Sequence, residues 1–200
     1  VIGGGVAGMT SAQTLAAQGY KTFLVEKNER LGGQALNLSE TWLSEPVGPF
    51  LDDLISDVTS NENIGVFLNT NVTSVDGFIG NFKTTIQSNG DSQVLQHGVT
   101  LIASGAEEFK TDDYLYGQDQ RVLTGLELQK KILDADGFDS CRTAVFVQCV
   151  GSRNQDNPYG SSGGARDPPA YARRPKEINP DMEIIVLYRD IRTFGLKEQH

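Results

Sequence analysis

The sequence predicts an α/β fold: a three-layer unit around a parallel sheet, carrying a small antiparallel β-meander, and after it the start of a second βα unit. Three observations predict it. A short apolar strand, Val1-Ile2, runs through Gly3-Gly4-Gly5-Val6-Ala7-Gly8 into a helical stripe. A β-rich run from Tyr20 to Val25 ends on an acidic residue, Glu26. Beyond it, helical stripes and short apolar strands follow one another, the pattern of a parallel sheet with crossover helices.

A strand that enters Gly3-x-Gly5-x-x-Gly8 and leaves as a helix needs a tight turn at Gly3. It needs no side chain at Gly5, so that backbone N–H groups, those of Val6 and Ala7 among them, can approach a pyrophosphate. It needs none at Gly8, so that helix and strand can touch. The pyrophosphate then rests on the positive end of the helix. With 22 glycines in 200 residues such spacing also arises by chance, so its surroundings decide. The helix carries Ala7, Met9, Ala12, Leu15 and Ala16 on one face and stops at Gly19. Glu26, at the end of the next strand, is suited to grip both hydroxyls of a ribose and would repel a 2′-phosphate, which disfavours NADP here. A structural glycine turn beside a solvated glutamate is the plainer alternative.

After Glu26 come Lys27 and then Arg30-Leu31-Gly32-Gly33. This resembles the E-(K/R)-x-x-x-x-G-G continuation of the two-dinucleotide-binding-domain flavoproteins, the glutathione and thioredoxin reductase superfamily. The resemblance implies a Rossmann-like domain with FAD over Gly3 to Gly33, and with Lys27, Gly32 and Gly33 at the FAD periphery.

Composition sets the outer bounds. A hydrophobic content of 38% suits a water-soluble globular chain. No apolar stretch approaches the roughly 18 to 20 residues needed to span a bilayer. The chain begins inside a strand without Met and ends on Leu196-Lys197-Glu198-Gln199-His200, which reads as a piece of a longer protein. A net charge of −9 with no basic stripe argues against a nucleic-acid partner. Two cysteines, Cys141 and Cys149, make no disulfide framework and no C-x-x-C redox pair; with no secretory signal, they point to a reducing cytoplasm. No acid, base or nucleophile constellation appears, so no catalytic side chain is assigned.

The later elements follow in order. Pro49 to Ser60 is a helix by its stripe of Phe50, Leu51, Leu54, Ile55 and Val58, and Ile64 to Leu68 is a short parallel strand. Asn71 to Val75 and Asn81 to Ile86 are antiparallel strands flanking turns at Asp76-Gly77 and Gly80. His97 to Ser104 returns as an apolar strand. Its end, Ala103-Ser104-Gly105, resembles the superfamily's A-T-G strand end, which implies backbone lying along the flavin nucleotide. Thr124 to Leu133 is a helix opened by a Thr124/Glu127 capping box. Ala144 to Val150 is a buried-type strand running into Gly151-Ser152-Arg153, where no second glycine fingerprint appears.

Longer strings narrow the resemblance. Gln148-Cys149-Val150-Gly151-Ser152-Arg153 with Asn157-Pro158-Tyr159 resembles the A-subunit family of the heterodisulfide reductases. So do Tyr114-Leu115-Tyr116-Gly117-Gln118-Asp119, Gly77-x-x-Gly80-Asn81-Phe82-Lys83, and Val186-Leu187-Tyr188-Arg189-Asp190-Ile191-Arg192-Thr193-Phe194-Gly195. The resemblance covers nearly the whole chain. It implies an FAD-containing electron-transfer component of a cytoplasmic complex in an anaerobe, with other heterodisulfide-reductase-like subunits, a hydrogenase or ferredoxin-type carriers as partners. It also implies that the Val72 backbone contacts adenine. Gln34 to Val47 lacks the cysteine-bearing insertion of the methanogen form, which favours shorter, bacterial-type relatives.

In that family the cysteine matched by Cys149 joins a Tyr-Cys-Ser-Arg-x-Cys-Cys segment to hold a [4Fe–4S] cluster. Here Gly160, Gly164 and Ala165 occupy the three later positions, and one thiolate cannot hold the cluster. Gly160 to Pro175 is atypical as a whole. Where the family places a helix, this segment has Gly160 to Gly164 and Asp167-Pro168-Pro169, which are expected to break one. Twelve of its sixteen residues are Gly, Ala, Arg or Pro, the residue types with the most GC-rich codons. An out-of-frame stretch bounded by two compensating indels accounts for this, and a natural loop in a cluster-free homologue is its rival. Translation in the other two frames separates them: failure to restore Cys-Ser-Arg-x-Cys-Cys removes the first.

The expected organisation is an FAD domain over 1–140 and a partial second nucleotide-binding-like domain over 141–200. Two other functions stay open: an NAD(P)H-dependent flavin oxidoreductase and a non-catalytic nucleotide-binding fragment.

Overall fold

The computed structural model describes residues 1–41, 43, 45–134, 138, 140–152, 154, 155, 157, 158 and 167–188, which fall into two compact units. The first comprises Val1–Leu36 and Val47–Glu107. Helix α1 (Val6–Ala17) leads to strand β1 (Thr22–Val25), and helix α2 (Val47–Ser60) leads to β2 (Ile64–Phe67). Strands β1 and β2 pair in parallel, Thr22 opposite Ile64 through Val25 opposite Phe67. Ile2 bridges Val25 on one side and Ile102 on the other, both in parallel, so the sheet order runs 102, 2, β1, β2.

Side chains alternate across that sheet, as the two-residue period of a strand requires. Leu24 and Ile64 face the helices and pack with Met9, Ala12 and Ala16 of α1 and with Leu51, Leu54 and Val58 of α2. Phe23, Val25 and Phe67 face the other way, onto Val72, Ile86 and Leu95. Those residues belong to a three-stranded meander, β3 (Asn71–Phe78), β4 (Asn81–Ser88) and β5 (Asp91–His97). Helices, parallel sheet and meander are the three layers. Leu24 is fully buried among them. Leu24→Ala is expected to cost about 3 kcal/mol, the usual range for a truncated core leucine, read as a lowered urea midpoint at unchanged slope.

Three strand expectations are corrected. The third meander strand is Asp91–His97, reached through Asn89-Gly90, both at positive φ (+50° and +92°). The run after His97 is no continuous strand: only Ile102 bridges Ile2, with the Ile2 N–H donating to Leu101 O and the Ala103 N–H donating to Ile2 O, each at 2.8 Å. The β3–β4 reversal falls at Ile79-Gly80, and Gly77 stays in the ladder opposite Phe82.

The second unit comprises the described residues of Asn37–Pro46 and Glu108–His200. Helix α3 (Gly125–Leu133) opens on the predicted capping box: Thr124 Oγ1 accepts from the Glu127 N–H and Glu127 Oε2 accepts from the Thr124 N–H. Strands β6 (Thr143–Val147) and β7 (Glu183–Leu187) pair in parallel, with α4 (Asp167–Ile178) between them in sequence. Ile132, Phe138 and Met182 form the core, flanked by Ala144, Ile178 and Ile184. Among the described residues the strand expected to be buried is covered on that face, whereas Val145 and Leu187 are each 51% exposed. The expected helix break is also corrected for Asp167 onward. Pro168 and Pro169 lie in the first turn of α4, where a missing N–H removes no intrahelical bond. Residues 159–166, including Gly160, Gly164 and Ala165, lie outside the described residues.

Acid strips this unit of two carboxylate contacts. The Arg121 guanidinium, at 2.6 Å, and the Arg121 backbone N–H hold Asp119 down to about 2. Burial raises Glu127, but hydrogen bonds from the Thr124 N–H and the Tyr116 hydroxyl, with the Lys110 charge, outweigh it and lower the carboxyl. A carboxyl depressed on folding stabilises the folded state above its unfolded value and loses that contribution as pH falls through the folded one. Stability is therefore expected to be level above about pH 4.5 and to decline towards about pH 2. A denaturation series across that window checks it, and Arg121→Ala flattens the lowest part of the decline.

Candidate functional site

The glycine loop of the first unit is built by close backbone contacts. Gly3 has φ +108°, and a Cβ there would meet Ala103 O at 2.2 Å. A Cβ on Gly8 would lie 1.8 Å from Gly3 O. These two glycines are required by the packing of loop, helix and the 102 strand. Gly5 differs: the nearest atom to a Cβ there is Gly33 Cα at 3.9 Å, so the space beside it is open.

Gly5 is also the N-cap of α1, with no capping side chain and no acidic residue in the first turn. Helix geometry leaves the first N–H groups, those of Val6, Ala7 and Gly8, without an intrahelical acceptor. Donors, an aligned helix dipole and an open cradle coincide at one point, which fits a pyrophosphate.

Glu26, immediately after β1, is 5% exposed. Its Oε2 accepts the Gly4 N–H at 2.6 Å and its Oε1 accepts the Asn28 N–H at 2.8 Å. Each oxygen retains a further lone pair, so the fixed carboxylate can still accept from ribose hydroxyls. Spacing alone does not single out Gly4, which lies between two motif glycines. A Cβ on it would meet Leu31 Cδ2 at 2.6 Å and Glu26 Oε2 at 3.0 Å, so a middle glycine is itself the sequence signal for a carboxylate packed against the loop.

The second glycine pair closes the same ring. Gly32 (φ +120°) donates its N–H to Gly4 O at 2.8 Å and bridges Gly5; Gly33 (φ +55°) would place a Cβ 3.0 Å from Gly5 Cα. Lys27 is exposed and pairs with Glu107 at 3.7 Å. Val72 packs its side chain on the meander core. Ala103 and Ser104 lie against Gly3, and Gly105 follows at φ +69°. The structure thus gathers Gly3, Gly5, Val6, Ala7, Gly8, Glu26, Gly32 and Gly33 around one loop.

Cys149 belongs to the second unit, at φ +63° just past β6. It and Cys141 are free thiols, and among the described residues no group of His, Cys, Asp or Glu could hold a metal ion. No helix of the described residues is long and apolar enough to cross a membrane.

Residues 1–142 match the pyridine nucleotide-disulphide oxidoreductase family. Over 288 aligned residues the chain is 25% identical to the A-subunit of the H(2)/formate:CoB-CoM heterodisulfide,ferredoxin reductase of Methanococcus maripaludis, covering 98% of this chain and 44% of that protein. It is 26% identical to an iron-sulfur A-subunit of the CoB--CoM heterodisulfide reductase of Methanopyrus kandleri, with the same coverage. The chain therefore spans less than half the length of these relatives. Among solved structures, thioredoxin reductase from T. acidophilum superposes at a TM-score of 0.59 with 14% identity, over 92% of this chain and 62% of that one. The Lactococcus lactis enzyme does so at 0.58 with 17% identity, over 96% and 56%. The chain belongs to the pyridine nucleotide-disulphide oxidoreductase family, is an FAD-binding flavoprotein oxidoreductase, and is similar in sequence to the A-subunits of heterodisulfide reductases.

Proposed function

We propose that the chain is the FAD-holding part of an electron relay, passing electrons between a donor partner and iron–sulfur or disulfide-reducing subunits of a cytoplasmic heterodisulfide-reductase-like complex. The observation that carries this is the uncapped α1 N-terminus at the open Gly5, beside a carboxylate already fixed by two backbone N–H groups. In this reading Gly5, Val6, Ala7 and Gly8 receive the pyrophosphate and Glu26 receives the ribose. Lys27, Gly32, Gly33, the Val72 backbone and Ala103 to Gly105 border the rest. The negative charge of Glu26 turns away a 2′-phosphate. Bound FAD supplies electron transfer, while the protein sets its orientation and surroundings. Hydrogenase or ferredoxin-type carriers are the partners that suit such a relay; the names of the relatives give H(2) and ferredoxin for those proteins.

The test is the purified full chain. A visible flavin band, with FAD released on denaturation, is expected, together with no iron and no acid-labile sulfide, since two cysteines cannot supply a four-thiolate site. A colourless, folded chain overturns the proposal. Bleaching of the band by NADH with no partner present replaces the relay with the NAD(P)H-dependent oxidoreductase reading.

A further inference from the structure

The turn after β2 reaches back to the acid of the nucleotide site. Asn69 stands at φ +49°, the left-handed region that Asn tolerates better than any residue but glycine. Its N–H donates to Asn28 O at 2.9 Å, and the next residue, Thr70, donates its N–H to Glu26 O at 3.0 Å. Thr70 is 2% exposed, and its Oγ1 donates to Leu68 O at 2.7 Å, which fixes the turn from within. On the facing side, the Asn28 N–H donates to Glu26 Oε1.

The sheet does not need these bonds. Its parallel ladder is complete at the Glu26 N–H donating to Phe67 O at 2.8 Å. The two additional donors fall on the carbonyls of Glu26 and Asn28, on either side of the peptide whose neighbour holds the carboxylate. Asn28 is thereby gripped at both ends, its N–H by Glu26 Oε1 and its C=O by Asn69.

We infer that Asn69 is a positioning residue for the nucleotide site: its left-handed turn clips Asn28 and so fixes the Glu26 carboxylate, before a ligand arrives, in the orientation it offers to ribose hydroxyls. This rests on the FAD reading above. A fixed acceptor spares the site the cost of ordering it on binding. A β-branched residue at 69 disfavours the left-handed turn and releases the clip.

The test compares the full parent chain with Asn69→Val, Glu26→Ala and the double variant, titrating each with FAD and with an FAD analogue lacking the adenosine 2′- and 3′-hydroxyls. Asn69→Val is expected to weaken FAD about tenfold, matching the left-handed penalty of a non-glycine side chain, and to change the analogue less than about twofold. Added to Glu26→Ala it is expected to do nothing more, because both act through one carboxylate. Asn69→Gly, which keeps the turn, recovers the parent value within about twofold. Losses that multiply in the double variant, or that fall equally on FAD and the analogue, overturn the inference alone. A parent chain that binds no FAD overturns the functional reading and this inference with it. Should Asn69→Val or Glu26→Ala fail to fold, Asn69→Ala and Glu26→Gln carry the same comparison.

Discussion

Gly8→Ala is expected to unfold the first unit at a temperature about 10 °C lower and to abolish flavin binding, whereas Gly5→Ala loses the flavin and keeps the fold. The difference is geometric. A methyl on Gly8 would sit 1.8 Å from Gly3 O, a backbone atom that moves only if the whole loop moves. Overpacking of that kind costs about 3 kcal/mol or more, equivalent to roughly 10 °C in a chain of this size. A methyl on Gly5 meets nothing closer than 3.9 Å. The backbone there, φ −76° and ψ 179°, is open to any residue, so only a weaker helix cap is lost, about 1 kcal/mol. The methyl instead fills the space a pyrophosphate needs, and FAD affinity is expected to fall about 100-fold, or roughly 2.7 kcal/mol. Circular dichroism melts and FAD titrations of both variants check this; a Gly5→Ala chain that melts as early as Gly8→Ala, or binds FAD like the parent, contradicts the assignment.

Glu26→Gln is expected to cost both stability and ligand. The carboxylate accepts the Gly4 and Asn28 N–H groups while almost wholly buried. An amide presents one oxygen and one NH2, so one of the two backbone donors then faces another donor with no water to relieve it. Leaving such a donor unmet costs about 1–3 kcal/mol. The ribose loses a charged acceptor in the same step, which adds roughly tenfold to 100-fold in affinity. Chemical denaturation and flavin titration read the two losses separately. A Gln variant with unchanged stability would show that the carboxylate turns outward in solution.

Much of this was legible in residue order. Glycine spacing, the Ala7-Met9-Ala12-Leu15-Ala16 face and the acid after β1 carry local chemistry, and local chemistry fixed the loop, α1 and β1. The Thr124/Glu127 capping box was readable for the same reason: both partners lie within one helical turn. What escaped the sequence depends on partners far along the chain. The run from Val99 to Ala103 has strand composition, yet only Ile102 bridges Ile2, a partner at the other end of the unit that residue order does not reveal. Asp91 to His97 is polar enough to pass for a loop until β4 pairs with it along its whole length. Pro168 and Pro169 are breakers in mid-helix and harmless at a helix start, a position that composition does not encode. The grip of Asn69 on Asn28 spans 41 positions and leaves no periodic trace.

The tight contacts of Gly3 and Gly8 also bear on how such a chain can change over evolutionary time. Both glycines are needed for folding whether or not a nucleotide is present, so selection holds them even in a descendant that has abandoned its cofactor. Gly5 is under no such constraint, and once the ligand goes it is free to drift. A glycine motif of this kind therefore records two histories at once. Its outer members testify to a surviving fold and its central member to a surviving ligand, so in a lineage suspected of losing its flavin the central position is the one to read.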